Sequence, residues 1–275
     1  MAVLVFGASG QIGQFLLPRL RARDAAVIAV SRRPRVGMPG VQWLQGALPE
    51  PVPAPGTVSA IVSLGPLLPF AQWRAAAAPT GSPCVVALSS MSAQSKADSC
   101  VPAERAIAQL LLEGEAALAD ACAALGCAWT VLRPTLVYGA GRDQTLTPLA
   151  RRALRTRLFP RPAAHGLRQP VHADDIAQAV LAAIEQPARR VLELGGGERL
   201  SAAAMFARVQ RSLPFATLPV PLPAWLLRLA SRAVPRLRGP LRRLEVDLVA
   251  DNRELQQYLG IQPRPFQPNA NCWFP

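Results

Sequence analysis

The clearest hydrophobic pattern lies at the start of the chain. Ala2–Phe6 is an apolar run of the length of one buried strand, and apolar positions then recur at Ile12, Phe15, Leu16 and Leu20 with the spacing of one helix face. Gly7, Gly10 and Gly13 lie between and within these runs. The order predicts a strand, a tight glycine turn and a helix. Gly7 permits a turn that a Cβ would strain. Gly10 lets the backbone approach a bulky anion, and Gly13 lets the helix lie close on the strand. The free N–H groups and the positive dipole end of that helix then face the anion.

Further short apolar runs predict strands at residues 25–30, 41–44, 58–64, 84–88, 128–132 and 191–194. Helical spacing predicts helices at 70–78, 102–125, 145–157, 201–212, 224–233 and 241–259, and one ending at Ile184. In the long one, Ile107, Leu111, Ala117, Leu118 and Ala121 mark the apolar face. Pro102 suits its first turn and Gly126 its stop. Asp174 or Asp175 reads as the N-cap of the helix to Ile184, and Ser201 as the N-cap of the next. Residues 49–55 form a Pro-rich loop and 263–275 an extended Pro-rich tail. There are no internal repeats.

At 275 residues, 51% hydrophobic, the chain can bury a large core as one domain with an appended lobe, or as two small domains. No uncharged apolar run reaches the roughly 18 residues of a membrane span. The nearest, 213–227, carries four prolines, at Pro214, Pro219, Pro221 and Pro223. The first strand begins at residue 2, which leaves no room for a secretory signal and points to the cytoplasm. The five cysteines form no C-x-x-C pair, so buried thiols are expected and no metal site. Net charge is +13, almost all of it arginine, since Lys96 is the only lysine. That balance suits nucleic acid, an anionic membrane surface or phosphorylated substrates, or reflects coding composition. No aromatic interleaving or binding motif accompanies the arginines, so nucleic acid is not expected as a partner.

Trp225, Leu226, Leu227 and Leu229 sit beside Arg228, Arg232, Arg236, Arg238, Arg242 and Arg243, with no acid between Glu198 and Glu245. A basic amphipathic stretch of this kind, Trp225 to Arg243, makes peripheral contact with an anionic membrane or forms a wall of the substrate lobe.

Three further segments join the glycine turn. They are Leu132-Arg133-Pro134-Thr135-Leu136-Val137-Tyr138-Gly139, Arg168-Gln169-Pro170-Val171-His172 with Asp175, and Leu194-Gly195-Gly196-Gly197-Glu198. With the G-x-x-G-x-x-G spacing, they resemble the extended and atypical branch of the short-chain dehydrogenase/reductase superfamily, the branch of the sugar-nucleotide epimerases and dehydratases. The resemblance implies an α/β fold: a Rossmann-type doubly wound parallel sheet with a small C-terminal substrate lobe. Residues 1–140 and about 169–194 would form the dinucleotide-binding part, and about 141–168 with 195–275 the lobe.

The resemblance also implies a site. Gly7, Ser9, Gly10, Gln11, Ile12 and Gly13 would hold a dinucleotide pyrophosphate. Ser31, Arg32 and Arg33 stand where an acidic residue would take a free ribose 2′-hydroxyl. Arginines there pair with a 2′-phosphate, so NADP(H) is favoured over NAD(H). Leu64, Gly65, Ser89, Arg133 and Pro134 would line the nicotinamide side. The family's acidic residue near the adenine is missing, replaced by Gly46-Ala47-Leu48. Its catalytic Ser/Thr falls on Met91, flanked by Ser90 and Ser92. Its Tyr-x-x-x-Lys pair, which falls near residues 103–111, is absent. The only tyrosines are Tyr138 and Tyr258, and four residues beyond them stand Arg142 and Gln262.

Lys96 has Ser92 four residues before it. Either Ser90, Ser92 and Lys96, with Glu104, carry a changed chemistry, or the protein is a dinucleotide-binding sensor or assembly subunit without catalysis. Arg168 and Arg142 are the candidates for a substrate phosphate, because a planar guanidinium suits bidentate contact. Tyr138 and His172 read as packing and hydrogen-bonding residues. A monomer and a homodimer both suit the small residues Ala116, Ala117 and Ala121.

Overall fold

The computed structural model describes residues 2–35, 37–52, 56–77, 82–234, 239 and 241–274. The strands are β1 Ala2–Phe6, β2 Ala26–Ser31, β3 Val41–Gln45, β4 Ala60–Ser63, β5 Cys84–Leu88, β6 Trp129–Pro134, β7 Val137–Tyr138, β8 Leu158–Pro162, β9 Leu167–Arg168, β10 Val171–His172, β11 Arg190–Leu194, β12 Leu200–Ser201 and β13 Leu218–Leu222. The helices are α1 Gly13–Arg21, α2 Leu67–Ala76, α3 Ser92–Ser95, α4 Pro102–Ala124, α5 Leu146–Thr156, α6 Ala173–Glu185, α7 Ala202–Arg211, α8 Ala224–Ala233 and α9 Arg253–Leu259.

Seven strands form one sheet in the order β3-β2-β1-β4-β5-β6-β11, and every neighbouring pair is parallel. The chain starts in the middle, winds out to β3, then returns to build the other half from β4. The strand order therefore reverses between β1 and β4, and their carboxyl ends open a crevice there. Strands buried on both faces need continuous apolar sequence, which Val3–Phe6 and Val85–Leu88 supply. On one face Leu16 and Leu20 of α1, Ile176 and Val180 of α6, and Leu255 of α9 close the core. On the other, Phe70 and Trp73 of α2 meet Leu118 and Cys122 of α4. A third core, centred on Tyr138, Phe159, Phe206, Phe266 and Trp273, builds the smaller lobe.

Several expectations are corrected. The segment 241–259 is not one helix. Its middle is held by β9 and its neighbour instead: Asp247 accepts from Leu167 N at 2.7 Å, Leu248 N donates to Leu167 O at 2.8 Å, and Ala250 N donates to Gln169 at 2.8 Å. Backbone groups spent this way cannot join a helical ladder.

Of the expected face of α4, Leu118 and Ala121 are buried and Leu111 and Ala117 half-buried, but Ile107 is 43% exposed; Ala108, Gly114, Glu115 and Cys122 complete the buried face. Helix α2 starts at Leu67, three residues early, and its expected end at Ala78 lies outside the described residues, as do Pro53 to Pro55 of the Pro-rich loop. Cys100 is exposed rather than buried. The C-terminal tail is extended up to a short 3-10 turn, Ala270–Cys272, but it is anchored. Phe266 and Trp273 are fully buried, and Trp273 Nε1 donates to Ser212 Oγ at 2.8 Å. Among the described residues, no helix is long and apolar enough to cross a membrane.

Candidate active site

Steric constraint at the end of β1 is severe. Gly7 has φ +71, and a Cβ on it would meet Leu64 C at 3.0 Å and Gly65 N at 3.1 Å. A Cβ on Gly13 would lie 1.9 Å from Ala8 O, so α1 can reach this close to the turn only with glycine. Gly10 N donates to Gly7 O at 2.9 Å and closes the turn. Helix α1 follows with no side-chain cap at its N-terminus; Gln14 N and Phe15 N bond back to Gly10 O at 3.3 Å and Ile12 O at 3.0 Å, so the first amides, at Ile12 and Gly13, are the ones that face a ligand. Arg142, from the loop after β7, donates to Ser9 O and brings a guanidinium over the same turn. Nearby at the strand ends, Gln11 Oε1 and Ser63 Oγ are buried without a partner among the described residues. A turn held tight by three glycines, an uncapped helix end and a cation fit a pyrophosphate.

At the end of β2, Ser31 is buried, while Arg32 and Arg33 are exposed. Arg33 N donates to Ser31 Oγ at 3.4 Å, a bond that uses the Arg33 backbone and not its guanidinium.

Residues 106–195 match the model of the NAD dependent epimerase/dehydratase family. The resemblance carried by the sequence motifs is borne out. Curated protein sequences yield no significant match. Solved structures match over the whole chain. MoeE5 in complex with UDP-glucose and NAD superposes with a TM-score of 0.75 at 22% identity, over 99% of this chain and 97% of that one. The NAD-dependent NDP-hexosamine 5,6-dehydratase TunA gives 0.73 at 18%, over 100% and 97%. UDP-glucose 4-epimerase from Thermotoga maritima gives 0.72 at 16%, over 100% and 98%. Likeness at these identities shows the fold, a Rossmann-type sheet with its lobe.

At the ends of β5 and β6, two of the expected site residues direct their side chains to α4. Beyond β5 and β6 the ladder continues, with Ser89 N donating to Leu132 O at 2.8 Å and Met91 N to Pro134 O at 3.0 Å. That pairing turns Met91 inward, 4% exposed. Ser89 and Arg133 direct their side chains to Glu115 of α4. The Ser89 hydroxyl donates to Glu115 Oε1, and Arg133 donates through Nε at 2.7 Å and through Nη2. The Arg133 pKa is raised, chiefly by that hydrogen bond. The Ser89 and Arg133 side chains are therefore committed to Glu115, and only their backbone groups remain at the strand ends. Glu115 escaped the sequence reading, although an acidic residue within the stripe Gly114, Leu118 and Cys122 was a signal that it needs a buried partner.

Ser90 Oγ accepts from Ser92 N at 3.1 Å. A hydroxyl that accepts one bond in this way still carries a proton to donate. Ser92 opens α3 and is half-buried. Lys96 ends α3, and its pKa is lowered by burial first and by Arg243 second, with Glu104 opposing. Glu104 accepts from Ser99 Oγ at 2.6 Å and faces Arg243 Nε at 3.5 Å, while Arg242 reaches Cys100 Sγ. The C-terminal segment thus lies on the α3–α4 connection. Beside it opens a cavity of about 590 Å³, lined among others by His165, Leu227, Arg228, Arg232, Arg242 and Glu245.

The two substrate candidates diverge. Arg142 is exposed at the glycine turn. Arg168 is 5% exposed and donates to Leu167 O and Val246 O at 2.7 Å and to Arg243 O. It fixes the cavity wall rather than opening into it.

His172, not Asp174 or Asp175, caps α6: its Nδ1 accepts from Asp174 N at 3.1 Å. The two carboxylates are taken by arginines. Arg19 Nε reaches Asp174 at 2.8 Å, and Arg264 spans Asp174 and Asp175 at 2.7 Å each. These bonds tie α1, and with it the glycine turn, to the C-terminal tail. Tyr138, 1% exposed, packs edge-on against His172 and Phe266. This burial among rings fits the packing role, and it also raises the Tyr138 pKa.

Proposed function

We propose that the chain is an NAD(P)-dependent enzyme of the epimerase/dehydratase type. It acts on a phosphorylated or nucleotide-linked small molecule through an acid–base site without Tyr-x-x-x-Lys. The observation that carries this reading is the cradle at Gly13, where a Cβ would lie 1.9 Å from Ala8 O beside an uncapped helix end.

A nicotinamide dinucleotide in that cradle supplies a hydride acceptor and donor. The α1 amides and Arg142 hold the pyrophosphate. Arg32 and Arg33 favour a ribose 2′-phosphate and hence NADP(H), although MoeE5 and TunA are described with NAD. Ser90 or Ser92 donates to the substrate oxygen. Lys96, its pKa lowered, exchanges the proton nearer neutral pH than an ordinary lysine. Arg242, on the cavity wall, takes the substrate phosphate. Residues 1–140 with about 169–194 carry the cofactor, and the remainder encloses the substrate. The second reading, a dinucleotide sensor without catalysis, is favoured by the absence of any tyrosine on α4.

The test is a titration with NADPH and NADH, followed by tryptophan quenching, together with turnover of nucleotide-linked sugars. Binding of a dinucleotide with turnover lost in Ser90→Ala/Ser92→Ala establishes the enzyme. Binding without turnover of any such substrate selects the sensor. Binding of neither dinucleotide removes both readings.

A further inference from the structure

Helix α8 carries large apolar side chains on its solvent face. Trp225 is 65% exposed and Leu229 is 56% exposed. Arg228 and Arg232 are exposed as well. The four positions follow i, i+3, i+4 and i+7, so indole, guanidinium, leucine and guanidinium form one stripe. The inward positions Leu226 and Leu227 are half-buried. The helix therefore has its own packed face, and the Trp–Leu stripe is an additional surface.

A second exposed apolar group belongs to the same lobe. β13 runs parallel to β8 and sets Leu218 opposite Leu158, with 68% and 47% exposure. Leu154 of α5 is 47% exposed among the exposed Arg151, Arg152 and Arg155. From Arg199 to Leu244 the sequence contains no acid.

We propose that α8 docks this lobe on an anionic lipid surface. The occupant is chosen by charge and by depth. An indole and a leucine projecting from one ten-residue helix match insertion to the headgroup–acyl boundary, about 5–10 Å deep. Arginine stems snorkel, keeping the cations at lipid phosphates. Arg228 and Arg232 also line the cavity beside α8, so docking sets the cavity wall at the headgroup layer. This surface is independent of the dinucleotide site.

The experiment is co-sedimentation of the full chain with phosphatidylcholine vesicles, with and without phosphatidylglycerol, at two salt concentrations. Vesicles containing phosphatidylglycerol should bind the chain, and salt should weaken the binding. Brominated lipid should quench tryptophan emission, and that quenching should disappear in Trp225→Phe. Trp225→Ala/Leu229→Ala should lose about tenfold or more in vesicle binding while its melting temperature and dinucleotide titration stay unchanged. No binding to either vesicle overturns the proposal. So does binding that survives the double substitution, or quenching that persists in Trp225→Phe. A concentration-dependent dimer abolished by Trp225→Ala would assign the stripe to a second copy and overturn it equally.

Discussion

Glu115 and Arg133 meet as a buried bidentate pair, with side chains 6% and 13% exposed and Arg133 Nε 2.7 Å from Glu115 Oε1. The pair ties the long helix to the end of β6, and the Ser89 hydroxyl adds the end of β5. Removing one partner strands a charge in the interior, which costs about 3–5 kcal/mol, whereas replacing both with apolar groups restores much of the loss. Glu115→Leu and Arg133→Met should each lower the urea midpoint strongly. The double variant should be more stable than either. A double variant that shows the sum of the two losses would rule out this coupling.

Gly13→Ala forces a methyl against the Ala8 carbonyl, so α1 must move off β1. Dinucleotide affinity should fall by about tenfold or more, because the leading amides no longer converge on the pyrophosphate. Isothermal titration of the folded variant, checked by circular dichroism, reads this directly. Unchanged affinity would place the cofactor elsewhere.

Acid should weaken the α1–α6 junction. His172 is held below its ordinary value of 6.5, first by burial and then by Arg264, against the pull of Asp175 and Asp174. Below pH 6.5 the unfolded chain takes up a proton that the folded one refuses, so stability falls as pH falls towards the lower folded value. Asp174 acts in the same direction at lower pH. Burial alone would raise its pKa, but the hydrogen bonds from Arg264 and Arg19 outweigh that and hold it below 3.8. Its contribution is complete above pH 3.8 and is lost as pH drops through the folded value. Denaturant unfolding between pH 8 and pH 5 should show a slope that is absent in His172→Gln.

Arg32→Ser/Arg33→Ser should weaken NADPH binding by about tenfold or more and leave NADH binding within a few-fold, since charge-assisted bonds to a 2′-phosphate are lost. Parallel titrations measure the ratio. Equal losses for both cofactors would show that the two arginines do not read the 2′ position.

The chain's local grammar was legible in advance. β1, the glycine turn and α1 follow from runs of a few residues, because chirality, sterics and strand or helix spacing act between near neighbours. Ser201 is an N-cap for the same reason: its Oγ accepts from Ala204 N at 3.1 Å. The site's scaffolding was not legible. Ser89 finds Glu115 across 26 positions, Arg168 finds Arg243 O across 75, and Arg264 finds Asp175 across 89. The sequence by itself determined where the glycine cradle is made, since that depends on glycine, strand and helix end in immediate succession. Only the tertiary structure decided which charges face a ligand and which are consumed inside. A buried guanidinium takes whatever carbonyl or carboxylate the packed sheet brings within reach, and no sequence spacing encodes that distance.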